Sequence, residues 1–301
     1  MTTNSIFDEP WWLDAVAPGA WDAVEIESAG RIVARLPFVR RRRYGLTALT
    51  QPGLTQSLGP WLEPVEGKYA HRLDVEKERM TALIDALPSF HVFHQSFSSA
   101  ITNWLPFYWA GFTATVRYTY RLKDLSDLDA IWRGFAENVR RQIRKAQRQV
   151  EVRDDEPLET LIRLSGAAFR RQGLPNPVTD ALVRRLDAAA SAHGARRLLA
   201  AHDAQGRVHA TIYVVYDGRV AYYLLGGRSP DFETSGALSL LLWEAIRAAS
   251  ETSRAFDFEG SMIESIERFF RSFGGRQVPY FRVEKARWPV RPIVALRAPR
   301  P

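Results

Sequence analysis

The sequence predicts a two-domain α/β fold in which each half carries a mixed, largely antiparallel sheet flanked by helices. Three observations predict it. Arg196–His202, Arg207–Tyr216 and Arg219–Gly226 alternate every second residue and are separated by DAQG and DG, the pattern of an antiparallel meander with tight turns. Runs at helical spacing lie between extended runs along the whole chain, so neither half reads as all-helical or all-strand. At 301 residues, 46% hydrophobic and 12% aromatic, the chain has enough apolar material for two cores of ordinary size. The polar stretch LKDLSDLD (Leu122 to Asp129) ends in aspartates able to cap a helix and marks the boundary. The domains are therefore set at 1–124 and 125–301, with the last segment packing back on the first. A shared architecture for the two halves implies a substrate cleft on or beside their junction.

In the first half, Trp11 to Val16 forms a short aromatic helix, and Asp22 to Ser28 pairs with Arg31 to Arg40 in a hairpin turning at Ala29-Gly30. Thr47 to Pro64, rich in Gly, Pro, Thr and Gln, reads as a long loop able to roof a pocket. Val75 to Leu87 is an amphipathic helix stopped at Pro88. Strands Phe90 to Gln95 and Thr113 to Arg121 follow, around a helical piece at Ile101 to Trp109.

The second half opens on a helix whose apolar face is Ile131, Trp132, Phe135, Val139, Ile143 and Ala146. Arg140, Arg141, Arg144, Lys145 and Arg148 cover the rest of its surface with only Glu137 to offset them. Such mutual repulsion is relieved when an anion such as phosphate binds, although a plain solvated face has the same pattern. Leu158 to Gln172 and Val178 to His193 are two more amphipathic helices, joined by the turn QGLPNPVT in which Asn176 or Thr179 can cap. After the meander come a helix (Ser235 to Ala249), a short buried strand at Phe256, a helix from Ile263 and a last strand, Gln277 to Glu284. The stretch from Phe256 to Gly275, FDFEGSMIESIERFFRSFGG, organises this half. Strand alternation puts Asp257 and Glu259 on one side, and the helical stripe of Phe269, Phe270 and Phe273 closes on Gly274-Gly275 with Arg268 and Arg271 at its rim. An ordinary packing unit would read the same way.

Composition narrows the chemistry. No cysteine is present, which excludes disulfides, thiolate nucleophiles and cysteine-type zinc sites. No apolar run is long enough to span a membrane and MTTNSIFDEP has no export signal, so a cytoplasmic location is expected. The formal charge of +7, carried mainly by arginine, makes polyanions plausible partners. Arg40 to Arg43 form a second basic cluster, at a strand end or turn. His91 and His94 stand three positions apart on a strand, so they face opposite ways and are read as structural; no metal site is expected. No G-x-S-x-G elbow supports a serine hydrolase.

The stretch DFEGS…FFRSFGG, the basic helix ENVRRQIRKAQRQ and the segment YYLLGGRSPDFETSGALSLLLWEAI together resemble the second acyltransferase domain of FemAB-type peptidyltransferases, within the wider GNAT-like acyltransferase superfamily. The resemblance covers Leu128 to Lys285, with a looser match at Phe7 to Leu13. It implies two GNAT-like domains. It also implies that the basic helix contacts substrate phosphates and that Phe270-Arg271 stands where the family has a Phe-Lys pair holding substrate charge. Arginine keeps that charge but changes its geometry. CoA-using members carry a glycine-rich loop before the helix that follows the meander. Here the loop is RSPDFETSGA, in which Asp231 and Glu233 repel a pyrophosphate and only Ser235-Gly236-Ala237 can act as a short N–H nest. Fem-type enzymes use aminoacyl-tRNA instead.

The candidate catalytic residues are Arg271, Phe270, Glu259 and Asp257, one of the two carboxylates orienting or deprotonating an attacking amine. The candidate substrate and phosphate contacts are Arg140, Arg141, Arg144, Lys145, Tyr222, Arg228 and Ser235. The expected function is a tRNA-dependent aminoacyltransferase needing no cofactor, acting on a peptide or amine acceptor: a cell-wall precursor or a peptide natural product. The alternative is an acyl-CoA-dependent N-acyltransferase. A non-catalytic RNA-binding module is the rival of another class, and no R-G-F-x-F platform supports it.

Overall fold

The computed structural model describes residues 3–171, 178–232, 235–287 and 290. The chain forms two compact units, Met1–Arg117 with Pro279–Pro301, and Tyr118–Val278. Its helices and strands in chain order are α1 (Pro10–Val16), β1 (Trp21–Ser28), β2 (Arg31–Arg43), β3 (Leu46–Thr50), β4 (Trp61–Leu62), α2 (Tyr69–Ala86), β5 (Val92–Ser96), α3 (Leu105–Trp109), β6 (Thr113–Leu122), α4 (Leu128–Gly134), α5 (Glu137–Ala146), β7 (Val150–Arg153), α6 (Leu158–Arg171), α7 (Asp180–Ala192), β8 (Arg196–Asp203), β9 (Val208–Tyr216), β10 (Val220–Arg228), α8 (Ala237–Ala249), β11 (Ala255–Asp257), α9 (Glu264–Arg271) and β12 (Arg276–Ala286). Among the described residues no helix is long and apolar enough to cross a membrane.

In the first unit β1, β2 and β3 are antiparallel neighbours, β3 runs parallel to β5, and β5 is antiparallel to β12. Ala29 and Gly30 both have positive φ, which lets a two-residue turn follow the twist of the β1–β2 hairpin. Its core gathers Phe90, Phe93, Phe97, Phe107 and Phe112. The stretch from Thr47 to Pro64 is not a single loop. Leu46–Thr50 alternates partly exposed and buried residues and pairs with β2, and Trp61–Leu62 pairs with Ala34 and Arg35, leaving a shorter connection. Helix α2 starts six residues before the expected Val75, because its first turn is exposed and carries no apolar stripe to reveal it. The basic cluster Arg40 to Arg43 is the exposed end of β2.

In the second unit the sheet order is β6-β11-β10-β9-β8-β7, antiparallel except for the central β11–β10 pair. Helices α5 and α8 and the aromatic face of α9 cover a core that includes Phe135, Val139, Ile143, Leu241, Phe256, Phe258, Phe270 and Phe273. The expected single basic helix is two. Phe135 and Ala136 are extended between α4 and α5, and the Ala136 N–H bonds Ser272 O (2.9 Å) instead of a carbonyl one turn back. Asp127 caps α4 through Ala130 N (2.8 Å), as its place in the polar stretch suggests. Thr179 caps α7; the Asn176 alternative and Glu233 lie outside the described residues.

Candidate active site

Three neighbouring strands place Tyr222, Asp257 and Arg121 side by side, Tyr222 opposite Asp257 and Asp257 opposite Arg121. The buried Asp257 carboxylate accepts from Arg121 Nε (2.9 Å) and Nη2 (2.6 Å), from the Thr119 hydroxyl and from the Glu259 amide (2.8 Å). Burial opposes the Arg121 charge, but Asp257 and Tyr222 outweigh it and push the guanidinium pKa up. Asp257 is thus an anchor whose lone pairs are taken. Glu259 does not share its strand face: β11 ends at Asp257, and Glu259 has φ +55, a left-handed conformation costly for a glutamate. The Asp257–amide bond holds this turn, and Gly260 allows it, since a Cβ there would lie 2.3 Å from Tyr118 O.

β10 and β11 stay paired for only three residues, Val220 to Tyr222 against Ala255 to Asp257. A bulge between Tyr223 and Leu225 then re-aims β10, which runs on to Arg228 while the other chain turns at Phe258. Tyr223 and Glu259 border this parting. Burial raises the Tyr223 hydroxyl pKa; Arg228 opposes the shift and Glu259 adds to it. Glu259 Oε1 is buried, and burial, reinforced by the Asp257 charge, raises the carboxyl pKa well above its ordinary value. A carboxyl displaced in this direction keeps its proton to higher pH than an ordinary glutamate, and proton exchange at such a group is the property a general base or acid requires.

A second feature of the same unit is a groove of about 550 Å³ lined by Ala136, Asn138 and Gln142 at the start of α5 and by Ser265, Arg268 and Arg271 of α9. Gly274, at φ +71, lets the end of α9 close on α4; a Cβ there would sit 2.6 Å from Gly134 O. Arg271 is held through Nε by Glu267 (2.9 Å). Arg140 pairs with Glu137 (2.7 Å), Arg144 lies over the Trp132 ring (5.7 Å), and Arg141, Arg144 and Lys145 are exposed. Ser235 is buried, its hydroxyl accepting from Ala237 N (3.3 Å) at the start of α8. Phe270 faces the core, between Tyr223 and Phe258 at 5.8 Å from each.

The structure therefore brings Asp257, Glu259 and Tyr222 together, and separately gathers Arg271 with the first turns of α5. Sequence reasoning missed Thr119, Arg121, Tyr120, Glu267 and Tyr223. Alternation in the run Thr119-Tyr120-Arg121 holds the signal for three of them: a threonine and an arginine on one face, a tyrosine on the other. His91 Nδ1 accepts from Thr47 N (3.1 Å) and His94 lies 3.4 Å from Glu284. Among the described residues no group of three or more metal-ligating side chains comes together.

Residues 133–271 match the family model described as an acetyltransferase (GNAT) domain. No curated protein matches the sequence. Among solved structures, FemX is similar over 99% of this chain and 98% of its own (TM-score 0.70, 12% identity). L-PGS from Bacillus licheniformis is similar over 94% and 89% (TM-score 0.53, 11% identity). A tandem GNAT protein from the clavulanic acid biosynthesis pathway is similar over 90% and 84% (TM-score 0.50, 11% identity). At such identities the likeness is one of fold. The fold is the GNAT-like one of FemX and the tandem GNAT protein, and residues 133–271 are the part similar to the acetyltransferase (GNAT) model.

Proposed function

We propose that the protein is a tRNA-dependent aminoacyltransferase, moving an aminoacyl group from aminoacyl-tRNA to an amino group of a peptide-like acceptor such as a cell-wall precursor or a peptide natural product. The observation that carries the choice of donor is the start of α8. A CoA-binding member of the superfamily offers its pyrophosphate free N–H groups there. In this chain Gly236 lies against α5 so closely that a Cβ would be 2.5 Å from Gln142 O, Ser239 Oγ donates to Gln142 Oε1 (2.9 Å), and Ser235 Oγ takes the Ala237 N–H. With α5 over the helix end, and Asp231 in the preceding loop, this end supports little pyrophosphate binding. The exposed cations Arg141, Arg144 and Lys145 lie on α5 itself, a surface that suits a polynucleotide.

In this reading the acceptor amine attacks the ester carbonyl of the donor. The C–N bond forms as the ester C–O bond breaks, Glu259 takes the amine proton and returns it to the ribose oxygen, and that oxygen leaves as the hydroxyl. Arg271 balances negative charge that develops during transfer. Asp257 fixes the turn carrying Glu259.

The acyl-CoA alternative keeps one supporting observation. Where β10 parts from β11, its edge can bond an extended, amide-bearing chain in strand fashion. The test is to incubate the protein and an amine or peptide acceptor with radiolabelled aminoacyl-tRNA pools and, separately, with acetyl-CoA. Acceptor-dependent loss of label from tRNA is expected. Acceptor-dependent release of free CoA would replace this reading by the alternative. Tight RNA binding with no transfer from either donor would return the protein to a binding module.

A further inference from the structure

Helix α9 carries two arginine–glutamate pairs at the same i,i+4 spacing, and among the described residues only one of them is anchored to a strand. Arg268 Nη2 bonds Glu264 Oε1 (2.7 Å) with both side chains largely exposed, at 69% and 84%. Exposed pairs of this kind hold neither partner firmly. Arg271 bonds Glu267 Oε1 through Nε (2.9 Å), but the same oxygen also accepts from the hydroxyl of Tyr120. Tyr120 is 2% exposed and sits on β6 within the core. Its hydroxyl in turn accepts from Gln277 Nε2 (3.0 Å) on β12. The chain of bonds thus runs from two strands through one carboxylate to the guanidinium. The bond uses Nε and leaves the terminal Nη groups of Arg271 to the groove that it lines.

We infer that Tyr120 is a positioning residue for Arg271, acting through Glu267; the inference rests on the role proposed above for Arg271. The hydroxyl of Tyr120 fixes the carboxylate, and the carboxylate fixes the guanidinium plane. The Tyr120 bond is also the first cause holding the Glu267 pKa below the ordinary carboxylate range, so the carboxylate stays charged toward Arg271. Arg268, without such an anchor on the same helix, is the internal comparison.

The experiment uses Tyr120→Phe, Glu267→Gln, Arg271→Ala and the control Glu264→Gln, each checked by thermal melting. Selective ¹⁵N-arginine labelling reports the order of each Nε–H by heteronuclear NOE. Arg271 is expected to be rigid in the wild type and to fall to the level of Arg268 in Tyr120→Phe, while Glu264→Gln leaves Arg271 unchanged. With whichever of aminoacyl-tRNA or acetyl-CoA supports transfer, Tyr120→Phe should lower kcat about 10-fold with KM within about 2-fold, and should add no further loss in the Arg271→Ala background. An Arg271 that stays rigid in Tyr120→Phe, or losses that multiply in the double variant, would overturn the inference. Wild-type turnover in Arg271→Ala would instead remove the proposed role of Arg271 itself, with the NOE still deciding whether Tyr120 orients it. Should Tyr120→Phe not fold, Glu267→Gln weakens the same link from the helix surface, its amide oxygen still accepting but without the charge, and carries the same expectations in direction.

Discussion

Glu259→Gln should stabilise the protein, increasingly so as the pH rises. Burial, reinforced by Asp257, raises the folded-state pKa of Glu259 well above the 4.5 it has when unfolded. A group raised in this way contributes its full stability below the unfolded value and loses it as pH climbs toward the folded one, because the folded state holds the proton that the unfolded chain has released. Glutamine is uncharged at every pH and nearly isosteric with the protonated carboxyl, so the two proteins should melt together near pH 4. Above about 4.5 the wild type should lose about 1.4 kcal/mol per pH unit relative to the variant, roughly 3–5 °C in Tm per unit for a protein of this size. The difference flattens where pH passes the folded pKa. Melting curves from pH 4 to 9 on both proteins read the slope. A constant difference at all pH values, or one that narrows as pH rises, would refute the reasoning, since the second would mean a carboxylate stabilised by positive charge. The transfer rate follows the same titration with a different consequence: if Glu259 takes the amine proton, wild-type turnover climbs through that pKa and the glutamine variant shows no such limb.

Three further outcomes can be measured. Asp257→Asn leaves the Arg121 guanidinium, whose side chain is only 23% exposed, without its carboxylate, and should cost about 2–4 kcal/mol in urea melts; a loss under about 1 kcal/mol would show that solvent replaces the pair. Replacing Arg140, Arg141, Arg144 and Lys145 together by Gln should weaken tRNA binding and reduce the log–log salt slope by about 0.7–0.9 for each phosphate no longer neutralised, and an unchanged slope would leave α5 a solvated face. Arg271→Ala should lower turnover by about 100-fold with little change in donor binding, and Arg271→Lys should recover part of it; equal loss from both, tracking a fall in Tm, would mean that the side chain only covers the aromatic stripe.

What was legible in the sequence is what periodicity controls. The β8–β9–β10 meander, the Ala29-Gly30 turn and the Phe269, Phe270, Phe273 stripe each follow from side-chain alternation or helical spacing, and each stands where it was expected. The departures share a cause. The break between α4 and α5 is made by the Ala136 N–H finding Ser272 O, a partner far along the chain, and no local pattern around Phe135 announces it. Likewise α2 extends toward the N-terminus through a turn that buries nothing, so amphipathicity cannot mark its start. The family resemblance pairs Phe270 with Arg271, yet on a helix neighbours point about 100° apart. One fills the core and the other lines a groove.

The two acids of FDFEG show the limit at the site more sharply. Adjacent alternate positions predict like environments for Asp257 and Glu259, and if the strand ran on, both carboxylates would face the same arginine. The backbone decides otherwise. Because Asp257 spends one oxygen on the Glu259 amide, it bends the chain into a left-handed turn that only the cradle at Gly260 makes room for. The turn takes Glu259 off the strand face and away from Arg121, so one carboxylate is bonded by three residues while the other is buried beside the first with its pKa raised. Two titratable groups driven into different environments by a single hydrogen bond acquire different work. Asp257 holds the shape, and Glu259 is left as the group able to move a proton.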